Sequence, residues 1–406
     1  MPRLVERVWR PSLDAYGPRS ARTPFAYQAF VPDPIRDADI RLGSATVAEV
    51  EAAAVAVREL QSGPTFRGLE AVGRQLLRAE ALASSRIEGL EISQRRIAKA
   101  IADGDERDET ARSVIANIAA MQKSVDLAVE ERSLAVADIL AIHDVLMTLP
   151  RERPFAGRVR DVQNWLGTNS DSPRGAEFIP PPEEEVPGLM EDLVAFIDRE
   201  DLSPVVQAAL VHAQFETIHP FVDGNGRVGR ALIHVVLRRG HVAGRIVPPV
   251  SVVLATNRGR YVEGLTAFRS GDVDGWIVFF ARALADSAAA SRRLGERLSE
   301  MQAKWLAAVR PRAGSAAARL IGGLSGQPVL SVETARGVTG ASFQATNQAI
   351  ARLEAAGVLR PIRGDWRRNR LWESPDILSL LDEFEANAAV PTRAGERPRP
   401  APRARG

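Results

Sequence analysis

The feature that most limits the possible folds is a series of long helix-forming segments. From residue 46 to about residue 298, Ala, Leu, Val, Glu and Arg dominate, and breaks fall near Gly63, Gly104, Pro150 and the prolines at 180–182. Apolar residues recur in these segments at helical spacing, and Gly and Pro are typical of helix ends. The sequence therefore predicts a mainly α-helical body.

Composition excludes several chemistries. The 406 residues contain no cysteine, which rules out disulfides, thiolate metal sites and a thiol nucleophile, whereas five histidines remain for acid-base catalysis. No stretch approaches the roughly 20 apolar residues of a membrane span, and the basic N-terminus lacks an apolar signal core. We therefore expect a cytoplasmic protein without a membrane partner. The net charge of +2 by itself indicates no partner.

The texture of the sequence divides the chain into four parts. Residues 1–110 combine a helical region with a Pro- and Arg-rich arm, which we expect to lie extended and without regular elements. Residues 111–298 form the helical core, and residues 299–386 form a small separate domain. Residues 387–406 contain repeated Pro and Arg, so we expect them to be disordered.

Two consecutive helices near the centre enclose a short polar loop. Ser203 and Pro204 are typical of a helix start, and this first helix is expected to end near His219. The second helix is expected to end in a basic turn followed by Gly240. Between them lie the letters DGNG at residues 223–226.

This loop is suited to binding an anion. Its two glycines flank Asn225 and let successive backbone N–H groups point into one concavity at a helix start. Arg227 and Arg230, three residues apart on one helix face, are placed to bind adjacent phosphate groups bidentately. Asp223 would repel phosphate unless a cation lay between them, so it is a candidate magnesium ligand. His219 is a candidate base for an attacking hydroxyl.

An ordinary helix-loop-helix turn is the alternative interpretation of this segment. In that interpretation Asn225 and its glycines supply left-handed conformations, Asp223 caps the second helix, and both arginines are solvated. The turn explains any one of these residues alone. It does not explain their combination, because nothing structural requires a base, an acid, an anion site and two arginines together.

The letters HPFVDGNGRVGR at residues 219–230 resemble the complete signature of the Fic family at every position. The resemblance implies a Fic-type helical core with a short β-hairpin flap, in which His219 is the general base and Phe221 is buried. It implies that Asp223 binds Mg²⁺ or Mn²⁺. It also implies that the protein binds ATP. The α and β phosphates are then bound by Gly224, Asn225, Gly226 and Arg227, and the γ phosphate is bound by Arg230.

Further segments resemble parts of the same family. The letters GRVRDVQNW occupy residues 157–165, and Phe178 and Ile179 begin FIPPP at the position of the flap. An extended edge there is suited to hold a target segment by strand addition, although an ordinary proline-rich surface loop is the alternative. Asn257 and Tyr261 lie in a stretch that resembles the nucleobase side of the site. Tyr261 is equally suited to a core position on a helix.

The letters SSRIEG at residues 84–89 resemble the inhibitory motif of the family. In a helix Ser84 and Glu88 share a face, and Gly89 breaks the helix. The resemblance implies that Glu88 pairs with Arg230 in place of the γ phosphate of ATP. A solvated Ser-Glu pair is the alternative, and the sequence leaves open whether Glu88 acts within its chain or across a homodimer.

The part of the chain after residue 298 resembles a winged helix-turn-helix. Two short helices are predicted at 331–338 and 342–356, and a strand-turn-strand follows at 358–372. Such a domain binds DNA or another protein, including a second copy of the chain. If it binds DNA, the candidate phosphate contacts are Arg367, Arg368 and Arg370.

The resemblance implies a protein adenylyltransferase. It would transfer AMP from ATP to Ser, Thr or Tyr hydroxyls of an unidentified protein and of itself, with inhibition through Glu88. Two alternatives stay open at this point. One is a DNA-binding regulator whose Fic core senses nucleotide, and the other is an enzyme that removes AMP, with Glu88 orienting a water.

Overall fold

The computed structural model describes residues 2–10, 23–62, 69–104, 107–130, 132–167, 172–244, 246–362 and 370–387. Within these ranges the protein has fifteen α-helices and five short strands, so the predicted mainly α fold is confirmed. None of the helices in these ranges is both long and apolar enough to cross a lipid bilayer.

Eleven helices build the body of the molecule. In chain order they are α1 (Ser44–Ser62), α2 (Leu69–Ile87), α3 (Gln94–Asp103), α4 (Glu109–Leu127), α5 (Val136–Leu146), α6 (Val186–Ile197), α7 (Pro204–Ile218), α8 (Asn225–Arg239), α9 (Val250–Thr256), α10 (Arg258–Arg269) and α11 (Val273–Val309). Helix α7 lies at the centre, because every residue from 205 to 218 is buried. It packs against α8, and the loop between these two helices holds the candidate site.

The predicted limits of α7 and α8 agree with the structure. Ser203 is the N-cap of α7 with Pro204 in the first turn, and Gly240 is the C-cap of α8. Helix α7 is fixed to α11 by the indole of Trp276, which is buried and donates to the carbonyl of Ala209 at 2.8 Å. The ends of the loop between α7 and α8 are therefore held by packed helices and not by surface segments.

The N-terminal arm is not free of regular structure, contrary to the expectation from its composition. Strands β1 (Arg3–Trp9) and β2 (Phe25–Val31) pair antiparallel, with Arg3 opposite Val31 and Trp9 opposite Phe25. The overlooked pattern is the alternation of side chains along β1, in which Leu4 and Val8 are exposed whereas Val5 packs inward. Residues 11–22, which connect the strands, lie outside the described residues.

The C-terminal module comprises residues 316–387. Its elements are α12 (Ala316–Leu324), β3 (Val329–Ser331), α13 (Val332–Thr339), α14 (Phe343–Ala355), β4 (Arg360–Pro361), β5 (Leu371–Glu373) and α15 (Pro375–Asn387), with the strands in the order β3-β5-β4. The two predicted helices and the two strand-like runs agree with α13, α14, β4 and β5. The assignment as a winged helix-turn-helix stays a prediction.

The boundary predicted at residue 298 does not coincide with a break in the structure. Helix α11 continues to Val309, because the sequence beyond 298 contains no proline or glycine until Pro311 follows the left-handed cap Arg310. At the other end, α15 includes Asn387, and residues 388–406 of the expected disordered tail lie outside the described residues. The same holds for residues 363–369, and hence for Arg367 and Arg368.

Candidate active site

The loop between α7 and α8 is closed by its own side chains. His219 ends α7 in the left-handed region with φ 50°, and Gly224 begins α8 with φ 82°. The side chain of Asn225 accepts from the N–H of Phe221 and donates to its carbonyl, both at 2.8 Å. The buried amide of Asn225 therefore fixes the shape of the loop by hydrogen bonds to the loop's own backbone.

Glycine is required at position 224 for two reasons. Its positive φ favours a residue without a Cβ, and an added Cβ would lie 2.5 Å from the Cε of Met147. The end of helix α5 thus packs directly against the backbone of the loop, and a larger residue would require the side chain of Met147 to move.

His219 is neutral at physiological pH. Burial, together with the positive charge of Arg160, lowers its pKa to about 4. Its Nδ1 faces the carbonyl oxygen of Glu216 at 3.4 Å, which leaves Nε2 as the atom available to accept a proton. A neutral imidazole at the edge of an anion-binding loop has the chemistry of a general base.

Two side chains of the upstream segment 157–165 donate hydrogen bonds to backbone carbonyls of the α7–α8 loop. Sequence reasoning missed this role. Arg160 donates from Nε to the carbonyl of His219 at 2.9 Å and from Nη2 to the carbonyl of Pro181 at 2.5 Å. Asn164 donates to the carbonyl of Phe221 at 3.1 Å. The segment therefore joins the catalytic loop to the proline run that follows the flap.

His143 is a second support that the sequence did not reveal. Its ring stacks on Phe221 with centroids 3.8 Å apart. Its Nδ1 accepts from the backbone N–H of Gly157 at 3.1 Å, so the proton must be on Nε2, which donates to the carbonyl of Asp223. Burial lowers the pKa of His143 to about 4, in keeping with this neutral tautomer. The only signal was a polar residue on an apolar helix.

Arg230 is almost fully buried and is held by residues 84–89, which we call the inhibitory segment after the motif that they resemble. Its Nε donates to Ser84 Oγ at 2.9 Å, and its Nη2 donates to the carbonyl of Ser84 at 2.8 Å and to Glu88 Oε1 at 2.7 Å. Although burial opposes ionisation, the guanidinium of Arg230 holds the pKa of Glu88 below its usual range. The pairing expected from the resemblance is therefore present, and it lies within one chain.

The carboxylate of Glu88 also lies against the first turn of α8. A Cβ added at Gly226 would collide with Glu88 Oε1. An anion thus sits at the positive end of α8 and beside Arg230, where the sequence predicts a phosphate. Glu88 is about one-third exposed, with 38% of its side chain accessible, so this anion position opens toward solvent.

The loop borders a pocket of about 520 Å³ between α7, α8, α10 and the flap. Its polar lining includes His219, Glu88, Arg230 and Glu216. Burial and the negative charge of Glu88 raise the pKa of Glu216 to about 7, and the Oε1 of Glu216 has no hydrogen-bond partner among the described residues. The pocket therefore contains a base, an anion position and a second titratable carboxylate.

The two residues proposed for the nucleobase side differ in position. Tyr261 borders the pocket but is buried at 3% exposure, and its hydroxyl lies 2.9 Å from Nε2 of His212. Asn257 caps α9, with its amide directed to the carbonyl of Val253 at 3.4 Å, and it is not among the residues that line the pocket. The apolar part of the lining that sequence reasoning missed includes Val262 and Leu265 of α10.

The predicted flap is a narrow antiparallel contact. Leu166 pairs with Phe178, whose carbonyl accepts from the N–H of Leu166 at 2.9 Å. Strand β2 extends this edge, since the N–H of Phe30 donates to the carbonyl of Ile179 at 2.9 Å. The guanidinium of Arg269 covers the ring of Phe178 at 3.9 Å, so α10 supports the flap from the pocket side.

Comparison with known proteins finds two matches to one family. A sequence profile of the Fic/DOC family matches residues 133–237, and one of the Fic/DOC family N-terminal region matches residues 47–126. The chain therefore contains two regions that match the Fic/DOC family. The first match contains the whole α7–α8 loop, and the second contains the inhibitory segment.

Curated relatives align with part of this chain. Protein adenylyltransferase Fic of Nematostella vectensis is 34% identical over 157 residues, which are 38% of this chain and 33% of that protein. Protein adenylyltransferase fic-1 of Caenorhabditis elegans is 29% identical over 160 residues, 38% of this chain and 28% of that protein. The chain therefore matches about a third of the length of these curated relatives.

Two solved structures share the Fic fold. A Fic family protein from Desulfovibrio desulfuricans superposes with a TM-score of 0.54 at 21% identity, covering 83% of this chain and 98% of that chain. A Fic domain containing signaling protein from Bacteroides thetaiotaomicron superposes with a TM-score of 0.51 at 20% identity, covering 61% of this chain and 97% of that chain.

The Fic loop is compatible with a divalent metal at Asp223. The carboxylate of Asp223 is 66% exposed and lies at the mouth of the loop, 3.6 Å from the guanidinium of Arg227. Among the described residues no group of three or more His, Cys, Asp or Glu side chains gathers to hold a metal. A single carboxylate suits Mg²⁺, which keeps several waters and is commonly held by one or two carboxylates together with substrate phosphates.

Arg227 is nearly as enclosed as Arg230. It is 3% exposed, and its Nη1 donates to Ser113 Oγ on α4 at 3.1 Å. Its guanidinium is therefore positioned by a partner more than one hundred residues away in sequence, which the signature alone does not indicate.

Proposed function

We propose that the chain transfers AMP from ATP to a hydroxyl group of a protein. The observation that carries this proposal is the position of the Glu88 carboxylate, which lies against Gly226 and accepts from Arg230. It marks an anion site at the start of α8, beside a neutral His219 and inside a pocket of a size that suits a nucleotide. The names of the relatives, protein adenylyltransferase, support the same reaction.

The reaction needs one proton transfer and one substitution at phosphorus. His219 Nε2 accepts the proton of the target Ser, Thr or Tyr hydroxyl, and the oxygen attacks the α phosphorus of ATP. The bond between this phosphorus and the bridging oxygen to the β phosphate breaks, and pyrophosphate leaves. The backbone of residues 224–226 and the guanidinium of Arg227 stabilise the charge that develops on the phosphate oxygens.

A magnesium ion bound with ATP would neutralise phosphate charge and orient the leaving pyrophosphate. Asp223 is the residue of this chain that would hold it. Its exposed carboxylate is adjacent to the loop backbone, and one oxygen already accepts from the N–H of Gly224 at 2.6 Å.

The target segment docks along the flap. Main-chain strand addition beside Phe178 aligns a hydroxyl with His219 while demanding little of the target sequence. Strand β2 already donates to the carbonyl of Ile179, so the N-terminal sheet borders the proposed docking surface and limits its extent on that side.

Glu88 inhibits this reaction. It takes the anion position at Arg230, so ATP cannot place its γ phosphate there until the carboxylate withdraws. The pair lies within one chain, and we propose that inhibition acts within that chain.

Labelled ATP tests the reaction class. The protein is incubated with a lysate and MgCl₂, and with ATP carrying ³²P at the α or at the γ phosphate. Relative to the same lysate without the protein, we expect added label only from the α position, and none with His219→Ala. Label from the γ position alone would identify a kinase reaction and refute the proposal.

A second candidate function is DNA binding by the C-terminal module. Helix α14 buries Ile350 and Leu353 against the module and leaves Gln344 and Gln348 exposed. Glutamine reads adenine in the major groove, as expected of a recognition helix. A mobility shift with random duplex DNA, measured on the full chain and on a chain ending at residue 310, tests this function independently of AMP transfer.

A further inference from the structure

One carboxylate of the C-terminal module joins both ends of the turn that carries Glu88. Glu385 of α15 accepts from the guanidinium of Arg86, on the last turn of α2, and from Nε2 of Gln94, the first residue of α3, at 2.5 Å. Glu385 is only 8% exposed. We call these three residues the Glu385 bridge.

The turn inside this bridge is short. The N–H of Glu88 donates to the carbonyl of Ser85 at 3.1 Å, and the N–H of Gly89 donates to that of Arg86 at 2.9 Å. Gly89 has φ 84°, so the chain reverses immediately after the inhibitory carboxylate. Arg86 is therefore two residues from Glu88, and a displacement of its side chain is transmitted through a single turn of backbone.

The rest of helix α2 is fixed independently of the module. Glu80, one turn before Ser84, is fully buried and accepts from His234 of α8 at 2.9 Å and from the N–H and hydroxyl of Ser251 at 2.7 and 2.6 Å. This network holds the middle of α2 to the catalytic core.

Ser84 and Ser85 are also held to the core, by Arg230 and by Asn117 of α4. The part of the segment that the Glu385 bridge positions is therefore the turn that follows, residues 86–89.

Additional contacts join the C-terminal module to helix α3. Ala98 of α3 packs in one apolar cluster with Val329 and Leu378. Arg95 donates to the buried carboxylate of Glu373 at 2.9 Å. A movement of α15 relative to the core is therefore coupled to α3 as well as to the turn at Glu88.

From this geometry we infer that the C-terminal module regulates the active site by holding Glu88 in its inhibitory position through the Glu385 bridge. The inference rests on the proposed inhibitory role of Glu88. Loss of the bridge, or a ligand of the module that displaces α15, lets the turn withdraw and leaves Arg230 for the γ phosphate. The module then has a role in transfer even though it contributes no residue to the pocket.

Variants of the full chain test the bridge. Glu385→Gln keeps the size but removes the charge and replaces one acceptor oxygen by a donor, so one of the two bonds of the bridge is lost. We expect self-labelling from [α-³²P]ATP to rise about three- to tenfold. The matched control is Glu383→Gln, on the same helix, whose partner Arg297 lies on α11 and not on the inhibitory segment. The control should label as the wild type does.

A double variant separates this mechanism from a general loosening of the fold. In a Glu88→Gly background, Glu385→Gln should add nothing, because both changes act through the same carboxylate. A further increase in that background would overturn the inference. Reversing the pair, Arg86→Glu with Glu385→Arg, should restore inhibition that either single change relieves, and failure to restore it while both single changes activate would also count against the bridge.

Nucleotide affinity distinguishes failure of the bridge from failure of the proposed reaction. Calorimetry with Mg²⁺ and a non-hydrolysable ATP analogue should show about three- to tenfold tighter binding to Glu385→Gln than to the wild type. If no variant, including Glu88→Gly, transfers label, the reaction is wrong while this binding difference still supports the bridge. Equal affinities in the wild type and Glu385→Gln would refute it.

Discussion

The change Glu88→Gly should raise activity and lower stability at the same time. The carboxylate of Glu88 makes one charge-assisted hydrogen bond to Arg230, at 2.7 Å. Such bonds contribute about 1.5–3 kcal/mol when enclosed, and the 38% exposure of Glu88 reduces this to roughly 1–2 kcal/mol through solvent screening. Arg230 keeps two bonds to Ser84, so the chain should still fold.

The same interaction free energy sets the expected gain in transfer. About 1.4 kcal/mol corresponds to a factor of ten, so removal of the carboxylate should raise the rate at subsaturating ATP by roughly tenfold. Saturating Mg²⁺ and ATP should recover much of the lost stability, since the γ phosphate replaces the missing anion beside the guanidinium.

Two measurements on one preparation check this prediction. Self-labelling with [α-³²P]ATP gives the rate, and urea unfolding gives the free energy with and without nucleotide. Glu91→Gln is the control, because Glu91 is exposed and lies three residues beyond Glu88. If Glu88→Gly loses stability but labels at the wild-type rate, the carboxylate is structural and the inhibitory interpretation is wrong.

Three other changes probe the remaining parts of the site. His219→Ala should reduce transfer by at least about 10²-fold with nearly unchanged affinity for a non-hydrolysable ATP analogue, because the base is lost and the phosphate site is kept; retained transfer would assign the base elsewhere. Asp223→Ala should weaken binding of the analogue in Mg²⁺ and leave binding in EDTA unchanged, and equal weakening in both would move the metal elsewhere. Transfer should rise between about pH 6 and 8, since ionised Glu216, with its pKa raised to about 7, lies 4.0 Å from Nδ1 of His219 and stabilises the imidazolium formed when His219 takes a proton; in Glu216→Gln that rise should be absent, and a rise of the same size would exclude this carboxylate.

The sequence was most informative where local chemistry decides the structure. Ser203 and Gly240 mark the limits of α7 and α8, because caps and helix-ending residues act within one turn. The pairing of Glu88 with Arg230 followed from a family resemblance, and the structure places the two in contact. The roles of the pocket residues remain predictions.

Long-range contacts were beyond sequence reasoning. His143 and Arg160 hold the α7–α8 loop from 80 and 59 residues away, as measured to their partners Asp223 and His219. The segment of Arg160 was marked by its family resemblance, but its contact with the loop was not, and no local pattern marks His143. The domain boundary at residue 298 stays a prediction, although helix α11 continues across it. The composition changes near residue 298, but helix propensity does not, so the helix continues to Val309.

The left-handed backbone of His219 places stability and function in opposition at a single residue. A non-glycine residue with φ 50° carries a conformational cost of about 1–2 kcal/mol, and burial of a titratable ring adds to it. Asn and Gly adopt this conformation more readily, so either replacement relieves strain while removing the imidazole. A screen that selects only for resistance to heat would therefore enrich inactive chains changed at this position, and any stabilisation of this protein by directed evolution needs an activity criterion from its first round.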